Sequence, residues 1–129
     1  MTEYAKTEWN RARMAMEAAR RVVDVDPDSA ASRAYYAAFH ALTAVFSLRG
    51  GSFSRHSAIR AALHQDLVKP GHLDKRWGQV YDHLMDLRET ADYGGLDRVG
   101  AEGAWAAIEK ASSFMAACAA LHPELGDVA

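Results

Sequence analysis

The sequence has few of the residues that mark disulfide-bonded, secreted or membrane-spanning proteins. Its single cysteine, Cys118, has no partner for an internal disulfide. We predict that it is a small core residue of a protein kept in a reducing compartment. No apolar run approaches the roughly 20 residues that a membrane helix needs. The N-terminal residues lack the apolar segment of a signal peptide. These absences predict a cytoplasmic protein without a membrane partner.

The composition favours helix over strand. Valine, isoleucine and threonine are sparse, whereas alanine makes up roughly a fifth of the 129 residues. That length predicts one domain, spanning residues 1–129. The net charge of −2 argues against nonspecific coating of DNA and against a polybasic membrane anchor, so no DNA partner is expected.

Five segments carry the three- and four-residue spacing of apolar side chains that is typical of amphipathic helices. Helix-ending residues separate them, among them Pro27, the pair Gly50 and Gly51, and Pro70. The connections are short, so neighbouring helices should be antiparallel. We therefore predict an all-α, up-and-down bundle of four to five antiparallel helices, with helices at about 3–24, 29–48, 52 or 54 to 67, 74–93 and 99–121.

The common catalytic motifs are absent. The glycine pairs in RGGS and YGGL end helices and do not form the loops that hold phosphates. Six histidines are present, but none has the spacing of a helical zinc or di-iron site, so no metal and no cofactor are expected. Cys118 has no histidine partner on its own helix and is not predicted to be a nucleophile.

The stretch DLRETADYGG ends the fourth predicted helix with unfavourable charges. Asp92 lies in the last turn, where the helix dipole disfavours a carboxylate, and Arg88 precedes it by four residues, the weaker order for an ion pair. Arg88, Asp92 and Tyr93 would suit a clamp for a phosphate or carboxylate. A structural ion pair at a helix end is the alternative.

A second polar set lies on the predicted second helix. Tyr36 and His40 are four residues apart, with Ser32 one turn before them and Thr43 one turn after. A polar stripe beside an apolar one must satisfy its hydrogen bonds if it is buried. It is either a ligand site or a set of side chains that are satisfied within the core or at a dimer interface.

A third set, Arg55 and His56 in SFSRHSAIR, is predicted for the first turn of the third helix. Cations there oppose the dipole unless an anion binds, although a partner carboxylate or solvent exposure explains them equally well. If the three sets converge, the combined site would suit a nucleotide or an RNA phosphate.

Four motifs follow one another along the chain: SRAYYAAFHA, SRHSAI, LVKPGHLD and LRETADYGG. In these motifs and their order, the sequence resembles the HEPN (higher eukaryotes and prokaryotes nucleotide-binding) domain, in particular its small stand-alone prokaryotic members. The resemblance covers about residues 28–120. It implies a helical bundle that forms a homodimer, often paired with a minimal nucleotidyltransferase as toxin and antitoxin. Many members are metal-independent ribonucleases whose signature is an arginine followed closely by a histidine.

Arg88 matches that arginine, but the histidine is missing: Tyr93 lies in the corresponding stretch, and the next histidine is His122. A phenol holds its proton at neutral pH and is a poor base, whereas an imidazole exchanges protons there. The resemblance thus implies a homodimeric module that binds a nucleotide, RNA or a nucleotidyltransferase partner through Arg88, Asp92 and Tyr93, with Tyr36 and His40.

Two alternatives remain open. One is a ribonuclease toxin in which Arg88 stabilises the phosphate charge and Tyr93, or a displaced histidine such as His40 or His56, carries the proton. The other is a structural bundle in which the pair of Arg88 and Asp92 only fixes a helix end.

Overall fold

The computed structural model describes residues 2–51 and 56–126 and contains only helices and their connections there. A π-helical turn, Leu63–Val68, directly continues the third helix. The all-α bundle predicted from the sequence is confirmed, and the short last helix is an addition to it. The helices are α1 (Glu3–Val22), α2 (Pro27–Leu48), α3 (His56–Ala62), α4 (Lys75–Tyr93), α5 (Gly100–Leu121) and α6 (Pro123–Gly126).

Helix α2 lies at the centre of the bundle and packs against α1, α4 and α5. It begins cleanly because the Asp26 side chain accepts a hydrogen bond from the Ser29 amide and Pro27 occupies the first turn. Alanine lets neighbouring helices approach closely, and every alanine of α2 is fully buried: Ala30, Ala31, Ala34, Ala37, Ala38, Ala41 and Ala44. Side chains of α2 therefore reach several other helices.

The buried face of α4 is rotated from the predicted one. The three- and four-residue spacing predicts a core face of Trp77, Val80, Leu84, Leu87 and Ala91. Of these only Leu84 is buried and the others are half-buried, whereas Gly78 and Tyr81 are buried. Gly78 explains the rotation, since a Cβ atom at this position would lie 2.6 Å from Cε1 of His64. The absent side chain lets the π-helical turn rest on α4. In this rotated position of α4, the Tyr81 hydroxyl faces α2.

None of the helices within residues 2–51 and 56–126 is long and apolar enough to cross a membrane. The assignment of residues 1–129 to one domain stays a prediction. Arg55, which was predicted to help bind an anion, lies outside the described residues.

Close packing around α2 predicts that enlarging one of its alanines destabilises the fold. Ala38→Leu should lower the free energy of unfolding by about 1–3 kcal/mol, because added methylenes force neighbours out of place. Urea denaturation measures the change. The matched variant Ala116→Leu, at an exposed position of α5, should leave stability nearly unchanged. Equal effects of the two substitutions would contradict the central position of α2.

Candidate functional site

Helices α2 and α4 bring Arg88 and Tyr36 into direct contact. Arg88 Nη2 donates a hydrogen bond of 3.1 Å to the Tyr36 hydroxyl oxygen. The guanidinium carbon also lies 5.6 Å from the centre of the Tyr36 ring and 5.7 Å from that of Tyr35, within the range of cation–π attraction. Only 16% of the Arg88 side chain is exposed. The cation is therefore held between aromatic rings with little water around it.

Asp92 joins the same cluster from the last turn of α4. Its Oδ2 atom lies 3.2 Å from Arg88 Nε and accepts a hydrogen bond of 3.4 Å from the Ser32 hydroxyl on α2. The close approach to Nε is an ion pair by distance but is poorly aligned as a hydrogen bond, and Nε has no hydrogen-bond partner within the described residues. The unfavourable charge order of this helix end is thus accounted for by contacts with α2.

Helix α4 ends immediately after this cluster. The Gly94 amide donates to the Thr90 carbonyl, which closes the last turn. Gly95 adopts a φ of +63°, in the left-handed region that glycine tolerates best. The left-handed residue at this helix end is therefore Gly95.

His56 approaches the cluster from the start of α3. Its ring stacks on Phe39 with centres 4.1 Å apart, and Nδ1 lies 2.9 Å from the Tyr35 hydroxyl. The buried Tyr81 hydroxyl donates to Tyr35 at 3.4 Å, which leaves the Tyr35 proton for His56 Nδ1. We assign this tautomer from the hydrogen-bond network. In the neutral ring, Nε2 then carries the proton.

Proximity of these groups alters their proton affinities. Burial lowers the pKa of His56, and the positive charges of Arg88 and His40 lower it further. Burial opposes the charge of Arg88, but the hydrogen bond to Tyr36 and the nearby Tyr93 and Asp92 outweigh it, so the pKa of Arg88 is raised. Near neutral pH the cluster combines a fixed cation with a neutral imidazole.

His40 stands beside the cluster but is tied to another helix. Its ring centre lies 6.4 Å from that of Tyr36 and 5.3 Å from that of Phe39. Its Nδ1 atom lies 2.6 Å from Oε2 of Glu8, a residue of α1 that is only 3% exposed. Arg11 Nη1 donates to the other oxygen, Oε1, at 3.0 Å. This group faces the α1 side of α2.

The predicted site residues divide into three groups. Arg88, Asp92, Tyr36 and His56 meet in one cluster, with His40 at its edge. Tyr93 is 73% exposed and touches the cluster only through its ring, whose centre is 5.4 Å from the Arg88 guanidinium carbon. Arg55 lies outside the described residues. Of the predicted stripe on α2, Ser32, Tyr36 and His40 reach other helices, whereas the Thr43 hydroxyl donates to the Phe39 carbonyl of its own helix.

Sequence reasoning missed the polar roles of Glu8, Tyr35 and Tyr81. Helical spacing predicts Tyr35 on the apolar stripe of α2, and it is indeed buried, but its hydroxyl also holds His56. One available signal was the position of Glu8 on the stripe of α1, between the buried residues Ala5 and Ala12. A carboxylate at a core position requires partners. Tyr81 gave no such signal, because an aromatic residue fits a core face equally well.

Metal and thiol chemistry find little support in the described part of the chain. No group of three or more histidine, cysteine, aspartate or glutamate side chains that could hold a metal ion occurs there. Complete burial raises the pKa of the Cys118 thiol to about 12, so it stays protonated at neutral pH and is a poor nucleophile.

The cluster has the features needed to bind an oxyanion beside a flat ring. Arg88 has five N–H donors, of which one is used in a hydrogen bond within the described residues. The remaining donors can therefore bind the oxygens of a phosphate or a carboxylate. The exposed Tyr93 ring and the half-buried Tyr36 ring flank the cation and can stack on a nucleobase.

Fold and site together define an all-α bundle with an arginine–tyrosine cluster between its second and fourth helices. Residues 5–121 match the HEPN domain family. A UPF0332 protein of Thermotoga maritima is 37% identical over 97 residues, which cover 75% of this chain and 74% of that protein. The chain belongs to the HEPN domain family, as the order of its sequence motifs predicted.

The shared position of Arg88 and His56 predicts a measurable coupling. Arg88→Ala should raise the pKa of His56 towards the ordinary value of 6.5 without reaching it, because burial is the larger cause of the shift and remains. The lowered pKa also means that protonating His56 destabilises the fold. Stability should therefore fall as the pH drops below 6.5 through the lowered folded-state pKa.

NMR titration of the histidine ring protons measures this coupling. The control Arg21→Ala removes an arginine that pairs with Glu17 on the exposed face of α1 and should leave the pKa of His56 unchanged. An unchanged pKa of His56 in Arg88→Ala would show that the two side chains do not share a site.

Proposed function

We propose that this HEPN protein is a homodimeric binding module for RNA or a nucleotide, acting in the cytoplasm. The observation that carries the proposal is the poorly hydrated Arg88 guanidinium, 16% exposed, with most of its N–H donors unused in the described part of the chain. A purely structural arginine would be expected to use more of those donors, and Nε is buried without a hydrogen-bond partner among the same residues.

The surroundings of Arg88 support a nucleic-acid ligand over a simple carboxylate. Tyr36 and Tyr93 place rings within 5.6 Å of the guanidinium, and rings of this kind stack on bases of any sequence. Asp92 fixes the guanidinium from one side and would repel an anion that approached from there. The phosphate would therefore enter from the side of the two tyrosines.

The missing histidine favours binding over cleavage. The family signature places a histidine shortly after the arginine, whereas Tyr93 occupies that stretch here. A homodimer would bring two copies of Arg88 and Tyr93 towards one another, and a minimal nucleotidyltransferase is the protein partner that the family resemblance suggests. Both partners belong to the proposal.

Binding should depend on Arg88 far more than folding does. Arg88→Ala should weaken the binding of a fluorescent oligoribonucleotide at least about tenfold, because a charge-assisted, paired contact is worth about 1.5–3 kcal/mol. The free energy of unfolding should fall by only about 1 kcal/mol, since the Asp92 side chain is 30% exposed and can be hydrated once Arg88 is removed. Fluorescence anisotropy and urea denaturation provide the two measurements.

Arg21→Ala is the matched control for this experiment, because Arg21 and Glu17 form the same type of ion pair, four residues apart, on the exposed face of α1. It should change neither quantity. If Arg88→Ala instead lost several kcal/mol of stability and kept its affinity for RNA, the cluster would serve only to stabilise the packing of α2 and α4.

A ribonuclease is the second candidate, and one observation favours it: His56 reaches the Arg88 cluster from α3, although the expected histidine of α4 is missing. In such a reaction the RNA 2′ oxygen bonds to phosphorus and the bond from phosphorus to the 5′ oxygen breaks. A base takes the 2′ proton, and the 5′ oxygen receives one from an acid. Arg88 would carry the phosphate charge, and His56 would exchange the protons.

We expect the protein to leave RNA intact. The Nδ1 atom of His56 is occupied by Tyr35, and its lowered pKa leaves little of the acid form at neutral pH. Incubation of mixed RNAs with excess protein and a chelator, followed by analysis of the termini, tests this expectation. Products with a 2′,3′-cyclic phosphate and a 5′-hydroxyl would contradict it. They would assign the ribonuclease function if both Arg88→Ala and His56→Gln abolished them.

A further inference from the structure

A shallow groove of about 310 Å³ runs between α1 and α2, beside the Arg88 cluster. It is lined by Arg11, Met14, Ala15, Ala18, Arg33 and His40. Two permanent cations and one imidazole therefore face a depression whose remaining lining is apolar. This arrangement is unlike that of an ordinary solvated surface, where charges of both signs are interspersed.

Two of the side chains that line the groove are held by one buried carboxylate. Glu8 is 3% exposed, and each of its oxygens is taken, Oε2 by His40 Nδ1 at 2.6 Å and Oε1 by Arg11 Nη1 at 3.0 Å. Burying a carboxylate costs several kcal/mol unless hydrogen bonds compensate it. Here the compensation also fixes the imidazole, because Nδ1 is committed to Glu8. Nε2 is left as the ring nitrogen that can meet a ligand in the groove, and it donates to a phosphate oxygen when the ring is an imidazolium.

The charges of the groove favour an anion. Arg11 is offset by Glu8, whose oxygens both point to their partners, so Arg33 remains as an uncompensated cation. The Arg33 guanidinium carbon lies 4.7 Å from the centre of the Tyr36 ring and makes no ion pair within the described residues. Without counting His40, the groove carries one net positive charge.

Tyr36 links this groove to the Arg88 cluster. Arg33 and Arg88 both contact its ring, at 4.7 and 5.6 Å, and the ring of His40 is 6.4 Å away. The two cations are thus separated by a single aromatic side chain. In single-strand binders, cations that follow the backbone alternate with rings that stack on bases.

We propose that Arg33 and the Glu8-oriented His40 form a second phosphate subsite, so that the ligand is a single-stranded RNA with at least two phosphates. This inference rests on the proposed function and adds the ligand class to it. One phosphate binds at Arg88 and a neighbouring phosphate at Arg33 and at the Nε2–H group of the His40 imidazolium, with a base against Tyr36. A mononucleotide has one of these contacts, whereas a strand has both.

The experiment compares two probes, uridine monophosphate and an oligouridylate of about ten residues, a length within the usual site size of single-strand binders. Arg33→Ala should weaken oligouridylate binding about fivefold or more and leave the monophosphate unaffected. It should also reduce the slope of log affinity against log salt concentration by about 0.7, the value for one phosphate contact on a single strand.

His40→Asn provides the second variant. The asparagine amide can still donate to Glu8 from the position of Nδ1, so the fold should be retained. Asparagine has no atom in the place of Nε2, so the proposed phosphate contact is lost. Oligouridylate binding should weaken selectively, as in Arg33→Ala. Arg76→Ala is the matched control, because Arg76 also stacks on an aromatic ring, that of Trp77 at 4.9 Å. It lies twelve residues before Arg88, about 18 Å along α4.

The outcomes separate the two proposals. If wild type binds the oligouridylate through Arg88, but Arg33→Ala and His40→Asn bind it normally, the second subsite is wrong and the proposed function stands. Equal losses for monophosphate and oligouridylate would also overturn the subsite. If wild type binds neither probe, both proposals fail, and binding of an acidic peptide in their place would assign the groove to a protein partner.

Discussion

The contact between Arg88 and Tyr36 is the interaction on which the candidate site depends. A guanidinium with 16% exposure has lost most of its hydration, and a cation in that position needs compensation from its neighbours. Tyr36 supplies an acceptor, Asp92 a counter-charge, and the surrounding rings their π faces. Because these groups come from α2 and α4, the contact fixes the end of one helix to the middle of the other. In the proposed function, it also sets the place where a phosphate would bind.

Helix α2 makes this arrangement feasible. Its alanines let α1, α4 and α5 approach closely, so that a few longer side chains of α2 reach partners on different helices. Ser32 and Tyr36 reach α4, Tyr35 holds His56 of α3, and His40 reaches Glu8 of α1. Each of these hydrogen bonds pairs polar groups of two different helices, which offsets the cost of burying them. A core of larger side chains would have kept these groups apart.

The sequence predicted the helices and pointed to several residues of the Arg88 cluster, because both leave local patterns. Apolar periodicity identified α1, α2, α4 and α5, and the charge order of Arg88 and Asp92 pointed to a site before any contact was known. The geometry that depends on other helices was not predictable. Nothing near Tyr81 indicates that its hydroxyl reaches Tyr35, and the rotation of α4 depends on the approach of His64 to Gly78.

The tyrosine in place of the family's histidine removes a group for proton transfer, but it leaves the electrostatic attraction of Arg88 for an anion unchanged. Electrostatic attraction by Arg88 needs no proton transfer and therefore does not depend on a histidine after it. In-line attack on RNA needs a base for the 2′ proton, and the nearest imidazole, that of His56, is committed to Tyr35 through Nδ1. A cluster that retains the cation and the rings but has its nearest imidazole engaged elsewhere favours the proposed binding of a strand over its cleavage. Binding is thus the activity that the arrangement supports most directly.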